Sequence, residues 1–266
     1  LGQMAAVRAG VGLLAMAMVA LCWRVLGLPS AAVYWFGGGL TAVIVVYVWW
    51  RYPLFPSKVP QHQQIILRKR YWLFYALTFM SGARRQIFVV FAGFLLVEKF
   101  GMDAATVTGL YLANYVISLW AAPKIGRFVS RWGERRALVL EYIGLILVFG
   151  GYAFVDTPEM ASVLYVIDHI FFALAIAMKS YFQKIADPRD IAATASVSFS
   201  INHIAAVVIP ALFGLIWLKD PSLVFLMGSA MAFISLILSL LIPDKPEAGN
   251  ETTIPSLNYP VIKETI

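Results

Sequence analysis

The chain has 266 residues, of which 61% are hydrophobic and 13% are charged, and its mean hydropathy is +0.80. Soluble domains carry about 25% charged residues, so this composition excludes an ordinary soluble globular protein. The net charge of +7 would suit nucleic acid, but basic and aromatic residues do not interleave as they do on base-stacking surfaces, so no nucleic-acid partner is expected.

Apolar runs of roughly 20 residues follow one another along the chain, and each can cross about 30 Å of hydrocarbon as a helix. Helices are expected because lipid offers no partner to backbone polar groups, and the runs lack the alternation of barrel strands. We therefore predict an all-α membrane protein with about eight transmembrane helices in the lipid bilayer. The predicted spans are 5–26, 31–50, 71–97, 105–124, 137–155, 160–182, 192–217 and 222–242.

A proline-containing loop at 51–70 has basic residues and no acidic residue, and we interpret it as a linker between two helical bundles. Residues 1–50 then hold two helices of a first bundle, and residues 71–242 form a six-helix second bundle. The tail 243–266 is polar with few aromatic residues, so it is predicted to be disordered.

Lysine and arginine fall mainly on one side of the predicted membrane. If the linker is cytoplasmic, the outer side receives only Arg24, Lys99 and Lys219 of the 21 lysines and arginines, while Arg84 and Arg85 lie inside a span. Cytoplasmic loops are enriched in these residues. This pattern predicts that both termini are cytoplasmic, in a membrane that we take to be a bacterial inner membrane.

A glycine-rich and basic motif, G-R-F-V-S-R-W-G-E-R-R, begins at Gly126. It resembles the cytoplasmic loop signature of the major facilitator superfamily, with Ser130 in place of the family's aspartate. In the family that aspartate contacts neighbouring helix ends and helps to hold one conformation. The two glycines are expected to permit a tight turn and close helix approach. The motif residues are Gly126, Arg127, Ser130, Arg131, Gly133, Arg135 and Arg136.

A second resemblance lies in residues 183–214, which look like the junction of the tenth and eleventh helices of this family, with Asp190 as a helix N-cap. Together the resemblances cover residues 5–242: a complete C-terminal half preceded by the last two helices of an N-terminal half. A full family member has twelve helices, so four N-terminal helices would be missing. The leucine at position 1 indicates either an alternative start codon or a fragment.

Two adjacent arginines, Arg84 and Arg85, lie in the middle of a span, where each costs about 2.5–3.5 kcal/mol on insertion scales. Neighbouring helical residues point about 100° apart, so at least one arginine is expected to face a central cavity. There it would bind an anionic substrate, because guanidinium matches carboxylate or phosphate. The alternative is a structural ion pair with Asp168.

Asp168 and His169 are adjacent within the span 160–182. An acid beside a histidine is suited to proton coupling, since both groups titrate near physiological pH when their surroundings shift them. The alternative is that Asp168 neutralises Arg84 or Arg85, and the two roles can coexist.

Other polar residues inside spans are candidates either for ligand contact or for hydrogen bonds between helices. Glu141 is expected to have a structural role in contact with Arg135 and Arg136. The remaining candidates are Gln86, Asn114, Asn202 and His203.

The sequence has no metal-ligand spacing and no phosphate-binding glycine loop, so we expect no metal, no cofactor and no ATP-driven pump. Cys22, the single cysteine, is interpreted as a packing residue. The first hypothesis is secondary active transport of a small solute by alternating access, coupled to protons, with an anionic or zwitterionic substrate. The second is a non-transporting membrane scaffold or assembly factor. An intramembrane enzyme would need a clustered nucleophile or metal set, which the sequence lacks.

Overall fold

A computed structural model describes residues 2–22, 26–53, 59–62 and 67–258 of the chain. Predictions concerning Leu1, Arg24 and residues 259–266 lie outside this part. The described residues form helices without a β-strand, and eight stretches are long and apolar enough to cross a membrane, which confirms the predicted fold class. The helices are α1 (Gly2–Ala20), α2 (Ser30–Arg51), α3 (Trp72–Gln86), α4 (Ala104–Trp132), α5 (Glu134–Phe154), α6 (Pro158–Ala173), α7 (Ile176–Ile185), α8 (Ile191–Trp217) and α9 (Pro221–Leu240).

The third span is longer than α3, because a 3-10 turn at Lys69–Tyr71 precedes the helix and π-helical geometry follows it. The π-helical segments are Ile87–Ala92 and Leu95–Lys99. Such segments are rare and are frequent at functional sites. Here the first begins two residues after Arg85.

Two helix boundaries differ from the predicted spans. α4 continues past 124 to Trp132 with Pro123 inside it, so the basic motif is largely helical. The turn to α5 is then made by Gly133 alone, at φ +87°. The span 160–182 is divided into α6 and α7 by a turn at Leu174 and Ala175, close to Asp168. Hydropathy does not distinguish a solvated basic helix from a loop, so the extension of α4 was not predicted. A short turn within an apolar run does not change its hydropathy, so the division between α6 and α7 was not predicted either.

The core of the bundle lies between α3, α5 and α9, where aromatic and aliphatic side chains are fully buried. Small residues let neighbouring helices approach closely. A Cβ on Gly144 of α5 would lie 2.2 Å from the Phe171 ring of α6, so these helices need glycine at that position.

The two N-terminal helices differ in their packing. α1 lies against α4, where a Cβ on Gly2 would meet the Ala122 carbonyl oxygen at 2.6 Å and one on Gly12 would meet the Tyr115 ring at 2.6 Å. α2, in contrast, has almost all of its described side chains exposed.

The end of the bundle that carries Gly133, called the basic end below, is closed by the C-terminal tail. Glu251 is fully buried there and accepts a hydrogen bond from Nη2 of Arg70 at 2.6 Å. The Tyr181 hydroxyl donates to the carbonyl of Glu251 at 2.6 Å, and Thr253 N donates to the Leu241 carbonyl at 2.8 Å. Residues 243–258 thus have fixed contacts, which corrects the expectation of disorder for this part of the tail.

The linker also contacts the basic end. Gln61 Nε2 donates to the Pro188 carbonyl at 2.7 Å, and Nη2 of Arg68 lies 3.1 Å from Oδ1 of Asp190. Asp190 occupies the N-cap position of α8, but its side chain makes no cap bond. Its carboxylate accepts from Arg68 and from the Tyr71 hydroxyl instead, which corrects the predicted capping role.

Candidate functional site

Arg84 points into the centre of the bundle, where its side chain is fully buried. Its guanidinium lies over the Tyr142 ring of α5, 4.6 Å from the centroid. Nη1 donates a hydrogen bond to Oγ of Ser235 on α9, and Nη2 lies 3.9 Å from Oε1 of Glu141. One side chain of α3 therefore connects α3, α5 and α9.

Two carboxylates, Glu141 and Asp168, share this interior with Arg84, and both are fully buried. Asp168 interacts electrostatically with Arg84 and with Glu141. Within the described part of the chain, neither carboxylate accepts a hydrogen bond. We call Arg84, Glu141 and Asp168 the buried charge cluster.

The position of Glu141 corrects the prediction that it contacts the basic motif. α5 begins at Glu134, so Glu141 lies about 10 Å further along the helix, too deep to reach Arg135 or Arg136. The predicted ion pair between an arginine and Asp168 is in fact an arrangement of three charged residues. Glu141 is the nearest acid to Arg84, and Asp168 is a further charge beside the pair.

Arg85 and His169 lie next to the cluster in sequence but point out of the core. Arg85 is exposed, His169 is half-buried, and the charge of Arg85 acts on the His169 ring. Nε2 of His169 is 2.7 Å from Oγ of Ser118 on α4. α3, α4 and α6 thus present a polar face, and the two arginines diverge as their helical spacing predicts.

The other polar candidates are not assembled around this face. Nδ2 of Asn202 donates to the Ser198 carbonyl of its own helix at 2.8 Å, and a Cβ on Gly82 would lie 2.6 Å from its Oδ1. His203 is exposed and lies 2.9 Å from the Phe199 carbonyl. These two residues therefore contact their own helix, and Asn202 also fixes the distance between α3 and α8.

Asn114 is buried on α4, where its Oδ1 has no hydrogen-bond partner among the described residues, and Gln86 is half-buried on α3. No group of three potential metal ligands comes together in the described residues. Sequence reasoning did not anticipate Ser235 or Tyr142, since a serine and a tyrosine in an apolar run are unremarkable. It recognised Glu141 as a carboxylate in a span but assigned it to the basic motif and not to Arg84.

Comparison with known families decides the assignment. Residues 74–264 match the family model described as Major Facilitator Superfamily. The chain belongs to the major facilitator superfamily. The predicted resemblance is therefore confirmed, and the protein is an integral membrane protein of a family whose members transport small molecules across membranes. None of the curated proteins matches the chain.

The superfamily loop motif has two glycines with different roles here. Gly126 lies within α4, where a Cβ would be 3.2 Å from the Gly2 Cα of α1, and Gly133 forms the turn to α5. Ser130 is exposed beside a cavity of about 620 Å³. The cavity is lined by Gly2, Gln3, Pro123, Gly126, Arg127, Val129, Ser130, Ile176 and Ser180.

A buried carboxylate, Glu134, lies four residues beyond Ser130, at the start of α5. Glu134 is buried and accepts from Oγ of Ser180 at 2.7 Å, and Nζ of Lys184 lies 2.7 Å from its Oε1. These contacts connect α5 to α7. Arg135 lies 3.5 Å from Asp244, whereas Arg127 and Arg131 are exposed.

Proposed function

We propose that this superfamily member is a proton-coupled secondary transporter that moves a small solute by alternating access. The observation that carries the proposal is the composition of the buried charge cluster. Two carboxylates and one guanidinium lie fully buried together, with Nη2 of Arg84 at 3.9 Å from Glu141.

The cluster has a net charge of −1 when all three groups are ionised, and one proton on Glu141 or Asp168 makes it neutral. An uncompensated charge in a low-dielectric interior is costly, so the neutral state with one proton is favoured while the site is closed to water. Access to water on one side would allow that proton to leave. A cluster of this composition can therefore carry a proton between two conformations.

Movement of the proton would change the shape of α3 and α6. A negative cluster attracts Arg84 more strongly than a neutral one, and Arg84 connects α3 with α5 and α9. The π-helical segment Ile87–Ala92 and the turn at Leu174 flank the cluster. These irregular segments are the parts of the two spans best able to absorb a change in helix geometry.

The solute is proposed to be anionic or zwitterionic and to bind at the polar face beside the cluster. Arg85 is exposed there, and the ring of His169 is held by Ser118 at 2.7 Å. A guanidinium recognises carboxylate or phosphate groups through paired hydrogen bonds. Asp168 and His169 are consecutive, so solute and proton would meet within one turn of α6.

Alternating access requires a second helical bundle opposite this one. The close packing of α1 against α4 supports α1 as part of that partner bundle, which α2 and four further helices would complete. We propose that the basic end faces the cytoplasm of a bacterial inner membrane, as the distribution of lysine and arginine indicates.

The test is proton movement driven by solute gradients in proteoliposomes containing the full protein and an internal pH dye. A panel of anionic and zwitterionic solutes is applied to the wild type, to Asp168→Asn and to Glu159→Gln. We expect one solute class to move protons with the wild type and with E159Q, a matched change at an exposed acid of the same helix. With D168N, proton movement falls to background while exchange of labelled solute continues.

Unchanged proton movement in D168N and in Glu141→Gln would overturn the assignment of the cluster as the coupling site. If no solute of the panel moves in the wild type, transport itself is not supported and the scaffold hypothesis leads.

A further inference from the structure

A groove of about 340 Å³ lies at the basic end of α5, on the outer surface of the bundle. Its residues belong to the end of α4, the first three turns of α5 and the start of the tail. They are Trp132, Arg135, Arg136, Val139, Leu140, Ile143 and Asp244. The groove is therefore charged at one end and apolar along its length.

The apolar wall continues as a stripe along α5. Arg136, Leu140, Ile143 and Leu147 are separated by four, three and four residues, which places them on one helix face, and all four are exposed. At 1.5 Å per residue this stripe is about 16 Å long, roughly half the thickness of the hydrocarbon core. Glu141 points about 130° away from it around the helix, so the groove is separate from the buried charge cluster.

The charged end of the groove carries a net positive charge. Arg135 lies 3.5 Å from Asp244, but that aspartate is 74% exposed, and surface ion pairs of this kind are weak. Arg136 is exposed and has no carboxylate partner among the described residues. Two arginines facing one exposed acid favour an anion.

Trp132 lies beside these arginines at the last residue of α4, and its ring packs at a tilt against the Phe128 ring, with 4.6 Å between the centroids. Tryptophan is enriched where the hydrocarbon meets the lipid headgroups. This position indicates that the two arginines lie at headgroup level and that the stripe runs into the acyl-chain layer of the same leaflet.

We propose that this groove binds one anionic phospholipid. The lipid phosphate contacts Arg135 and Arg136, and one acyl chain lies along Val139, Leu140 and Ile143. The charge at one end and the leaflet-length apolar wall fit this ligand, whereas a free phosphate ion would use only the arginines. This site is distinct from the transport site and does not depend on the proposed coupling mechanism.

The test measures the affinity of the detergent-solubilised full protein for phosphatidylglycerol and for phosphatidylcholine with identical acyl chains, by native mass spectrometry. The variant is Arg135→Gln with Arg136→Gln. The matched control is Lys124→Gln with Arg131→Gln, which removes two exposed charges from the same end of α4. An arginine near an anionic headgroup contributes about fivefold in affinity, so we expect about a 25-fold loss of phosphatidylglycerol binding in the first variant. The control variant and phosphatidylcholine binding are expected to be unchanged.

Equal binding of the two lipids by the wild type, or an equal loss in both double variants, would overturn the proposal. Two further measurements distinguish a lipid from a phosphate ion. Leu140→Ala with Ile143→Ala lowers phosphatidylglycerol affinity if an acyl chain occupies the wall, and unchanged affinity contradicts the lipid. Inorganic phosphate at millimolar concentration is expected not to displace the lipid, and displacement would show a simple phosphate site.

Discussion

The bundle contains two sets of buried carboxylates that differ in their partners. At the basic end, Glu134, Asp190 and Glu251 each have a cation within 3.1 Å and further hydrogen bonds. In the middle, Glu141 is 3.9 Å from Arg84, and neither it nor Asp168 accepts a hydrogen bond in the described structure. The carboxylates of the basic end are thus fixed by close partners, whereas those of the middle have only a distant one among the described residues.

The difference between the two sets of carboxylates is tested most strongly by removing Arg84, the cation of the buried charge cluster. Arg84→Ala leaves two buried carboxylates without a counter-charge, and we expect a loss of about 3–5 kcal/mol in the free energy of unfolding. Arg85→Ala is the matched control, because the adjacent arginine is exposed and surface changes alter stability by about 0.5 kcal/mol or less. Thermal unfolding in detergent and folded yield by size exclusion measure both variants.

A double variant shows whether the loss arises from unpaired charge. Glu141→Gln added to Arg84→Ala should restore part of the stability, with a coupling energy of about 0.5–3 kcal/mol. If the two changes are additive, or if R85A is as damaging as R84A, the buried charge cluster is not the source of the effect.

At the basic end, removing an acid should affect stability and leave the transport mechanism intact. Glu251→Ala removes the ion-pair partner of Arg70. Because the Arg70 side chain is 17% exposed, we expect the free energy of unfolding to fall by about 2–3 kcal/mol, less than for a fully buried pair. Glu247→Ala, at an exposed position of the same tail, is expected to be neutral. Thermal unfolding measures stability, and uptake per folded molecule should equal that of the wild type. An unstable E247A or a transport-defective E251A would contradict this division of roles.

Substituting the glycine of the turn at the basic end is expected to lower stability by a smaller amount. Gly133 has φ +87° and ψ 158°, a conformation that is essentially restricted to glycine, so Gly133→Ala should cost about 1–3 kcal/mol. Gly150→Ala, inside α5 with no atom within 4 Å of the new Cβ, should instead stabilise the helix by about 0.5–1 kcal/mol. Melting temperatures that shift in the same direction for both variants would contradict the assigned turn.

The parts of the fold that sequence could predict are those set by local hydropathy. The eight predicted apolar runs correspond to eight helical stretches long enough to cross a membrane, because insertion into lipid depends on the composition of each run. The fixed contacts of the tail were missed, because Glu251 binds Arg70 across 181 positions and no local pattern records that pairing. The helical extension of α4 was missed for a related reason, since polar residues outside the membrane are compatible with helix or loop.

The candidate site was predictable to a similar extent. Arg84 and Asp168 were recognisable as charges inside apolar runs, and helical geometry required the two arginines to diverge. Which arginine turns inward depends on Tyr142 and Ser235, which lie on other helices. Glu141 was assigned to the wrong partner because the start of α5, and hence the depth of Glu141, was not known to within one turn.

The smallest expected effect concerns the superfamily motif itself. Ser130→Asp restores the family's acid at an exposed position, and we expect a stability change within about 0.5 kcal/mol. Glu134→Ala removes a buried acid bonded to Ser180 and Lys184 and should cost about 1–3 kcal/mol. Combining the two changes should not rescue E134A, because Ser130 lies on α4 before the Gly133 turn, beside the cavity. Thermal unfolding of the three variants measures this, and a rescue would show that the acid works equally well from either position and that Glu134 has no special geometry.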